Sequence, residues 1–239
     1  RQRRNTGILF PPLPIPLKTI FYLRKIISAV WFSLVAVLFP FQSFAEEKES
    51  KKSSIGIKVG PSIANESVSV GGISVSASSR TGLSIGAEFL YDVHQNISLG
   101  AGLAYIQKGA EISIEGITGK DTFNYLSIPI PVRVQADINA GPDVNLRPFG
   151  LFSLEPSFLL SAKTEVKSEG TTEEQDITDS LEGLDFGIGF GGGLGLYWPT
   201  FFLSAEGRYV LGLTNIYKGA EAEIKNRAFI ILVGAGLRF

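Results

Sequence analysis

The sequence predicts an all-β protein, an eight-stranded antiparallel transmembrane β-barrel with up-and-down meander topology. Three observations predict it. Apolar residues recur at every second position through most of residues 54–239, the period of a strand and not of a helix. The opposite faces carry Gly and Ser with about one charge each. The connections alternate between short and long, as they do in outer-membrane barrels.

The elements follow in order. Residues 54–63 set Ile55, Ile57 and Val59 against Gly56, Lys58 and Gly60. Residues 81–91 set Leu83, Ile85, Ala87 and Phe89 against Gly82, Ser84, Gly86 and Glu88. Residues 97–108 set Leu99, Ala101, Leu103 and Tyr105 against Gly100, Gly102, Ala104 and Lys108, and residues 124–136 carry Leu126, Ile128, Ile130, Val132 and Val134 on one face. The fifth segment, 146–162, is irregular until Phe152. From there it opposes Phe152, Leu154, Phe158 and Leu160 to Ser153, Glu155, Ser157 and Ser161. Residues 184–197 alternate Phe186, Ile188, Phe190, Leu194 and Leu196 with Asp185 and a run of glycines. Residues 201–214 oppose Leu203, Ala205, Tyr209, Leu211 and Leu213 to Ser204, Glu206, Arg208 and Gly212. The last segment, 228–239, opposes Phe229, Ile231, Val233, Ala235, Leu237 and Phe239 to Gly234, Gly236 and Arg238. Each segment reaches the roughly 9–11 residues that a tilted membrane strand needs.

Short connections follow the second, fourth and sixth segments ("DVHQN", "DINAGPDVN", "WPT") and belong on the periplasmic side. The longer ones face outward. Among them "SVSVGGISVSAS" alternates around Gly71 and Gly72 as a hairpin would, and residues 163–183 form the longest.

Period two does not say which face is inside. With the apolar face inward, as in a soluble barrel, the exterior would be Gly, Ser and Ala, a poor aqueous surface. With it outward, small residues close a narrow interior while Leu, Ile, Val and Phe meet acyl chains, and closure pairs every backbone group, as lipid requires. The interior then holds Lys58, Lys108, Arg133, Arg208 and Arg238 against Glu88, Glu155, Asp185 and Glu206. These nine charges are expected to pair into a structural network, since unpaired buried charge is costly. Phe239 falls on the lipid face at the periplasmic rim, and Tyr91, Tyr197, Trp198 and Tyr209 are expected in the aromatic belts.

Upstream, residues 1–45 hold Arg1, Arg3, Arg4, Lys18, Arg24 and Lys25 and no acid. Removing these six from the 22 basic residues leaves 16 against 23 acidic ones, a net charge of −7 beyond residue 45. "KTIFYLRK" precedes an apolar run from Ile26 to Phe39, and Ser43 and Ala45 stand at the −3 and −1 positions of a cleavage site before Glu46. This predicts an export signal within residues 1–45, with "FPPLPIPL" as an upstream extension, then a short polar segment at 46–53 and the barrel at 54–239. The apolar run is shorter than the roughly 20 residues of a spanning helix.

Composition excludes several chemistries. The absence of Cys removes disulfides, thiolate zinc sites and a thiol nucleophile, and the single His94 removes any site needing two imidazoles. The near-neutral charge offers no footprint for nucleic acid. "GFGGGLG" (189–195) alternates within a strand and lacks the strand–turn–helix setting of a phosphate site, and "GITGKDT" (116–122) is expected to be a loop. His94 reads as a turn residue beside Asp92. The acids of the longest loop, Glu165, Glu169, Glu173, Glu174, Asp176, Asp179 and Glu182, lack calcium-loop spacing and read as a solvated surface. Pro129 and Pro131 delete two N–H donors from one seam, which predicts a weakened seam or a bulge.

"GIKVGPS" (56–62), "SLGAGLAYIQKGAEI" (98–112), "YLSIPIPVR" (125–133), "AEGRYVLGLTNI" (205–216) and "NRAFIILVGAGLRF" (226–239) together resemble the PorT-like outer-membrane β-barrel proteins of Gram-negative bacteria. The resemblance covers residues 54–239. It implies insertion by the barrel-assembly machinery, which in such proteins reads a terminal aromatic strand, and Phe239 matches that signal. Two positions depart from the family's pattern: Ser127 stands where similar proteins carry an acid, and "FSLEP" (152–156) stands where they carry Gly-Pro. Eight strands leave room for side chains and not for a wide channel. The expectation is therefore a non-enzymatic protein of the outer membrane, without cofactor or metal, that anchors loops for adhesion or partner binding. The alternative is a narrow pore for ions or small solutes through the charged lumen.

Overall fold

A computed structural model describes residues 52–239 except 71–72, 115–116, 169–170 and 220–221. The predicted signal segment, 1–45, and most of 46–53 lie outside the described residues.

Thirteen strand segments form one antiparallel sheet. They are β1 (Ser53–Val70), β2 (Ile73–Ser76), β3 (Ser78–His94), β4 (Ile97–Lys108), β5 (Ala110–Ile114), β6 (Ile117–Ser127) and β7 (Ile130–Gln135), followed by β8 (Ile138–Gly141), β9 (Val144–Ser168), β10 (Thr171–Asp176), β11 (Leu184–Tyr197), β12 (Phe201–Gly212) and β13 (Glu223–Arg238). The sheet closes into a ring, because β13 pairs with both β12 and β1. Ser53 exchanges both backbone hydrogen bonds with Phe239, so the two ends of the ring are tied at the short-turn side.

Where eight strands were expected, the segments are more numerous because local chemistry interrupts them. Gly109, at φ 132°, separates β4 from β5. A Cβ at that residue would stand 2.1 Å from the Asp121 carbonyl, so both conformation and space demand glycine. Pro129 lies in the break between β6 and β7. Its carbonyl accepts from the Gly102 amide at 2.8 Å on the β4 side, so the N–H missing from Pro129, and from Pro131 two residues on, would have faced β4. Leu99 pairs with Val132 and Ala104 with Ser127 in one unbroken register, which makes this an interruption of the ladder and not a bulge. The bulge lies on the other side, where Tyr125 pairs with Leu159 and Asn124 with Ser161, leaving Leu160 as the extra residue.

The strands also run further than the alternation suggested. β1 pairs with β2, with Val70 opposite Ile73. The 163–183 segment is no plain loop, since β9 extends to Ser168 and pairs with β10. "GITGKDT" contributes residues 117–122 to β6, correcting its assignment as a loop.

The apolar faces point outward. Ile57, Val134, Leu160, Val233 and Leu237 are more than half exposed, while Lys58, Ser62, Arg133, Ser153 and Glu155 on alternating positions are buried. Two positions depart from the predicted faces, Tyr197 and Ser161. Tyr197, expected in an aromatic belt, points inward and is 3% exposed. Ile230 and Leu232 turn inward from the same strand whose Phe229, Ile231 and Val233 face out. Ser161, expected inside, is turned to the outer face by the Leu160 bulge, where it accepts a hydrogen bond from Asn124. Phe239 is 60% exposed on the outer face near Phe89, and Trp198 stacks on Phe201.

Gly109→Ala is expected to destabilise the barrel by about 1–3 kcal/mol, the cost of a disfavoured φ for a residue with a Cβ. Urea titration of the heat-shifted folded band on a gel measures this, and an unchanged midpoint contradicts it.

Candidate functional site

The interior is stacked in layers, each set by strand parity. The central layer is ionic. Lys58 on β1 reaches Glu88 Oε1 on β3 at 2.7 Å and Glu206 Oε2 on β12 at 2.8 Å. Arg133 on β7 bonds the same two oxygens. Arg208 binds Glu206 from the same strand and Glu155 on β9, with Ser153 donating a further bond to Glu155. Three cations and three carboxylates from five strands thus form one neutral, buried network. Arg133 also lies over the Phe149 ring, which covers it with apolar surface.

Toward the extracellular end comes an apolar layer of Ala64, Ile106, Val210, Ala228, Ile230 and Leu232. Beyond it Lys108 pairs with Asp185 at 2.9 Å, and Thr214 and Asn226 donate to the same carboxylate. Above these, Phe123, Tyr125, Ala162, Leu181 and Ile216 pack into a second apolar cluster. Leu181 and Ile216 come from the connections after β10 and β12. They are drawn into the mouth by backbone bonds from the Glu182 amide to the Ile216 carbonyl and from the Ile216 amide to Ile224. A short 3-10 turn, Thr178–Ser180, precedes Leu181. Asp176 accepts the Thr178 amide there, and that hydrogen bond holds its carboxyl below the usual carboxylate range.

At the short-turn end Arg147 binds Asp92 and Asp137, and Ser98 and Gln135 also donate to Asp92. Arg147 and Arg238 both lie over the inward Tyr197 ring, which stacks on Phe202. A cavity of about 30 Å³, lined by Lys58, Glu88, Glu155, Arg208, Ile106 and Pro129 among others, separates the ionic layer from the apolar one. It has room for about two waters.

Of the nine charges read from the sequence, six meet in the central network. Lys108 and Asp185 form a separate pair, and Arg238 lies at the periplasmic end, donating to the Trp198 carbonyl. Sequence reasoning missed Arg147. Counting back by twos from Ser153 reaches it, but Leu151 and Phe149 also face inward and hide the alternation. His94 is exposed, and its Nδ1 accepts the Asn96 amide, while Asp92 is occupied by Arg147, Ser98 and Gln135. Among the described residues, no three His, Asp or Glu side chains gather as a metal site. Ser127 sits 3.5 Å from Glu155 Oε2, so the neighbouring strand places a carboxylate beside it.

A closed antiparallel sheet with apolar residues outside and paired charges inside defines an outer-membrane β-barrel. The chain belongs to the family described as outer membrane protein beta-barrel domain, whose match spans residues 42–218. It is a protein of the Gram-negative outer membrane. Among solved structures it is similar to Ail, the attachment invasion locus protein of Yersinia pestis, with 18% identity, 80% of this chain and 100% of that one covered, and TM-score 0.35. Neisserial surface protein A shares 16% identity over 81% of this chain and 100% of that one, with TM-score 0.44. The outer membrane protein AlkL shares 14% over 83% and 96%, also with TM-score 0.44. No curated protein matches the chain.

Arg133→Met is expected to cost about 3–5 kcal/mol, because Glu88 and Glu206 lose a buried partner. Lys163→Met breaks only the exposed pair with Glu174 and should leave stability unchanged within error. Equal effects of the two variants in denaturant titrations would contradict the layered interior described above.

Proposed function

We propose that the thirteen segments count as eight transmembrane staves, making a PorT-like barrel that is sealed and non-enzymatic and that displays its extracellular strands to a partner. The count rests on the pairing: β4 with β5, and β6 with β7, continue one another along single staves, while β2, β8 and β10 are tip hairpins. The five segments quoted above support PorT-like membership, and Phe239, tied to Ser53, is in place to serve the barrel-assembly machinery.

The observation that carries the sealed reading is the neutral six-charge network roofed by an apolar layer. A channel that passes ions presents unpaired charge of one sign or a wetted path. Here each central charge is spent on another, and Leu181 and Ile216 close the mouth above.

The displayed surface is where partner binding would occur. On β9 the outward residues change from Phe152, Leu154, Phe158 and Leu160 to Lys163, Glu165 and Lys167. The strand therefore continues about 26 Å beyond the apolar belt at about 3.3 Å per residue. All six residues of β10 are exposed there. A folded ligand on an adhesive or partner surface would find this ladder first. Contact with outer-membrane lipid is left to the belt below.

Planar-bilayer recording of refolded residues 46–239 tests the sealed lumen, with heat-shifted mobility proving that the barrel formed. No current steps are expected. Discrete, reproducible steps would replace this proposal with the narrow-pore alternative.

A further inference from the structure

Ten charged side chains are buried among the described residues, and nine of them have an ion pair. Glu66 is the tenth. It is 4% exposed and lies on β1 beyond Ile63, the last apolar residue that β1 turns to the lipid, at a level where Asn65 and Ser67 face out.

The register sets Glu66 directly opposite Asn226 on β13, itself 1% exposed. The Asn226 amide nitrogen donates to Tyr125 Oη at 3.2 Å and to Asp185 Oδ2 at 2.9 Å, which fixes the direction of the amide. Its Oδ1 and Glu66 Oε1 are both buried without a hydrogen-bond partner. Two acceptors thus stand on directly paired residues with no donor for either.

Nearby charge does not solve this. The charge acting on Glu66 is a second acid, Asp121 of β6. Arg80 of β3 acts on Asp121, Glu111 and Glu165, and its Nη1 donates to the Lys108 carbonyl. The Lys108 ammonium is held by Asp185. Burial, with Asp121 adding to it, pushes the Glu66 carboxyl up to about 8, so the two oxygens call for one positive charge, a proton or a cation. A water molecule could satisfy both orphan oxygens but would leave an ionised Glu66 buried and uncompensated.

We propose that Glu66 and Asn226 bind one small hard monovalent cation of the sodium class between β1 and β13. A carboxylate and an amide carbonyl are oxygen ligands suited to such an ion and poor ones for a soft metal. One positive charge neutralises the Glu66 carboxylate. The apolar layer of Ile230 and Leu232 closes the site from below, and Tyr125, which the Asn226 amide contacts, belongs to the apolar cap above. The bound ion therefore braces the seam beneath the cap. The site stands on its own observations and holds whether or not the barrel binds a partner.

The test compares refolded barrel in zwitterionic detergent in sodium chloride and in choline chloride at equal ionic strength, following the thermal midpoint of the folded band. The wild-type midpoint should rise by about 2–4 °C in sodium, a shift readily seen for a domain of this size. Glu66→Gln should remove the difference, and Asp179→Asn, an exposed acid, should keep it. Sodium NMR line broadening by the wild-type barrel gives the same answer without a variant. Equal midpoints with no broadening overturn the proposal. So does a midpoint insensitive to sodium that falls in the wild type, and not in Glu66→Gln, as pH is raised from about 6 to about 10, because the missing charge is then a proton.

Discussion

Every feature of this protein depends on one constraint: at membrane depth no water is present to pair a backbone N–H or C=O, so the sheet must close on itself. Closure fixes the parity of each strand, and parity assigns each side chain to lipid or lumen. The narrow lumen in turn demands small residues where strands approach. Pro129 and Pro131 show how far this reaches. Their rings point inward, and a Cβ on Gly102 or Gly100 would meet Pro129 Cγ at 3.0 Å or Pro131 Cγ at 3.1 Å. The glycines of β4 make room for the prolines of the next stave. The lost donors fall on that shared seam, the place where the ladder is interrupted while the register is kept.

The faces were legible because lipid on one side and a filled lumen on the other produce a clean alternation. That alternation located Lys58, Glu88, Arg133, Glu155, Glu206 and Arg208 on the inner face before any of their contacts were known. It could not tell that Lys108 and Asp185 would stand apart from them, since depth along the barrel depends on stagger between strands and not on the pattern within one. It failed altogether where a single residue reversed the parity, as Leu160 does for Ser161. Glu66 was hidden for a different reason. The predicted first strand ended at Ile63 because the outward residues beyond it, Asn65 and Ser67, are polar. Above the lipid boundary both faces are polar, and a strand without hydrophobic alternation looks like a loop.

The cap was illegible in a stronger sense. Leu181 and Ile216 belong to connections without periodicity, and nothing in "TDSLEG" or "TNIYKG" announces that one apolar residue of each is drawn into the mouth. Their burial follows from the barrel's shape. Phe123, Tyr125 and Ala162 present an apolar ring at the outer end of the lumen, and two aliphatic side chains cover it at little cost in backbone order. The Ile216 and Glu182 backbone bonds then continue the sheet hydrogen bonding across the mouth between β9 and β13.

The layered interior also explains why charges fill a space that aliphatic residues could fill. A buried ion-pair network gains little over well-packed apolar side chains, but its members cannot be exchanged or shifted without leaving one unpaired. In a sheet, a shift of one residue sends every side chain to the opposite face. Here such a shift in β1, β3, β7, β9 or β12 would expel a charge from the network into lipid while burying an apolar residue among the remaining charges. The six central charges therefore act against misregistered closure, and each of the five strands is checked by partners on others. The aliphatic layer above it carries no such information, because Ile106, Ile230 and Leu232 would pack almost as well one turn of the pleat away. Placing the ionic layer between the two ends of the barrel constrains the register of most of the ring from a single level.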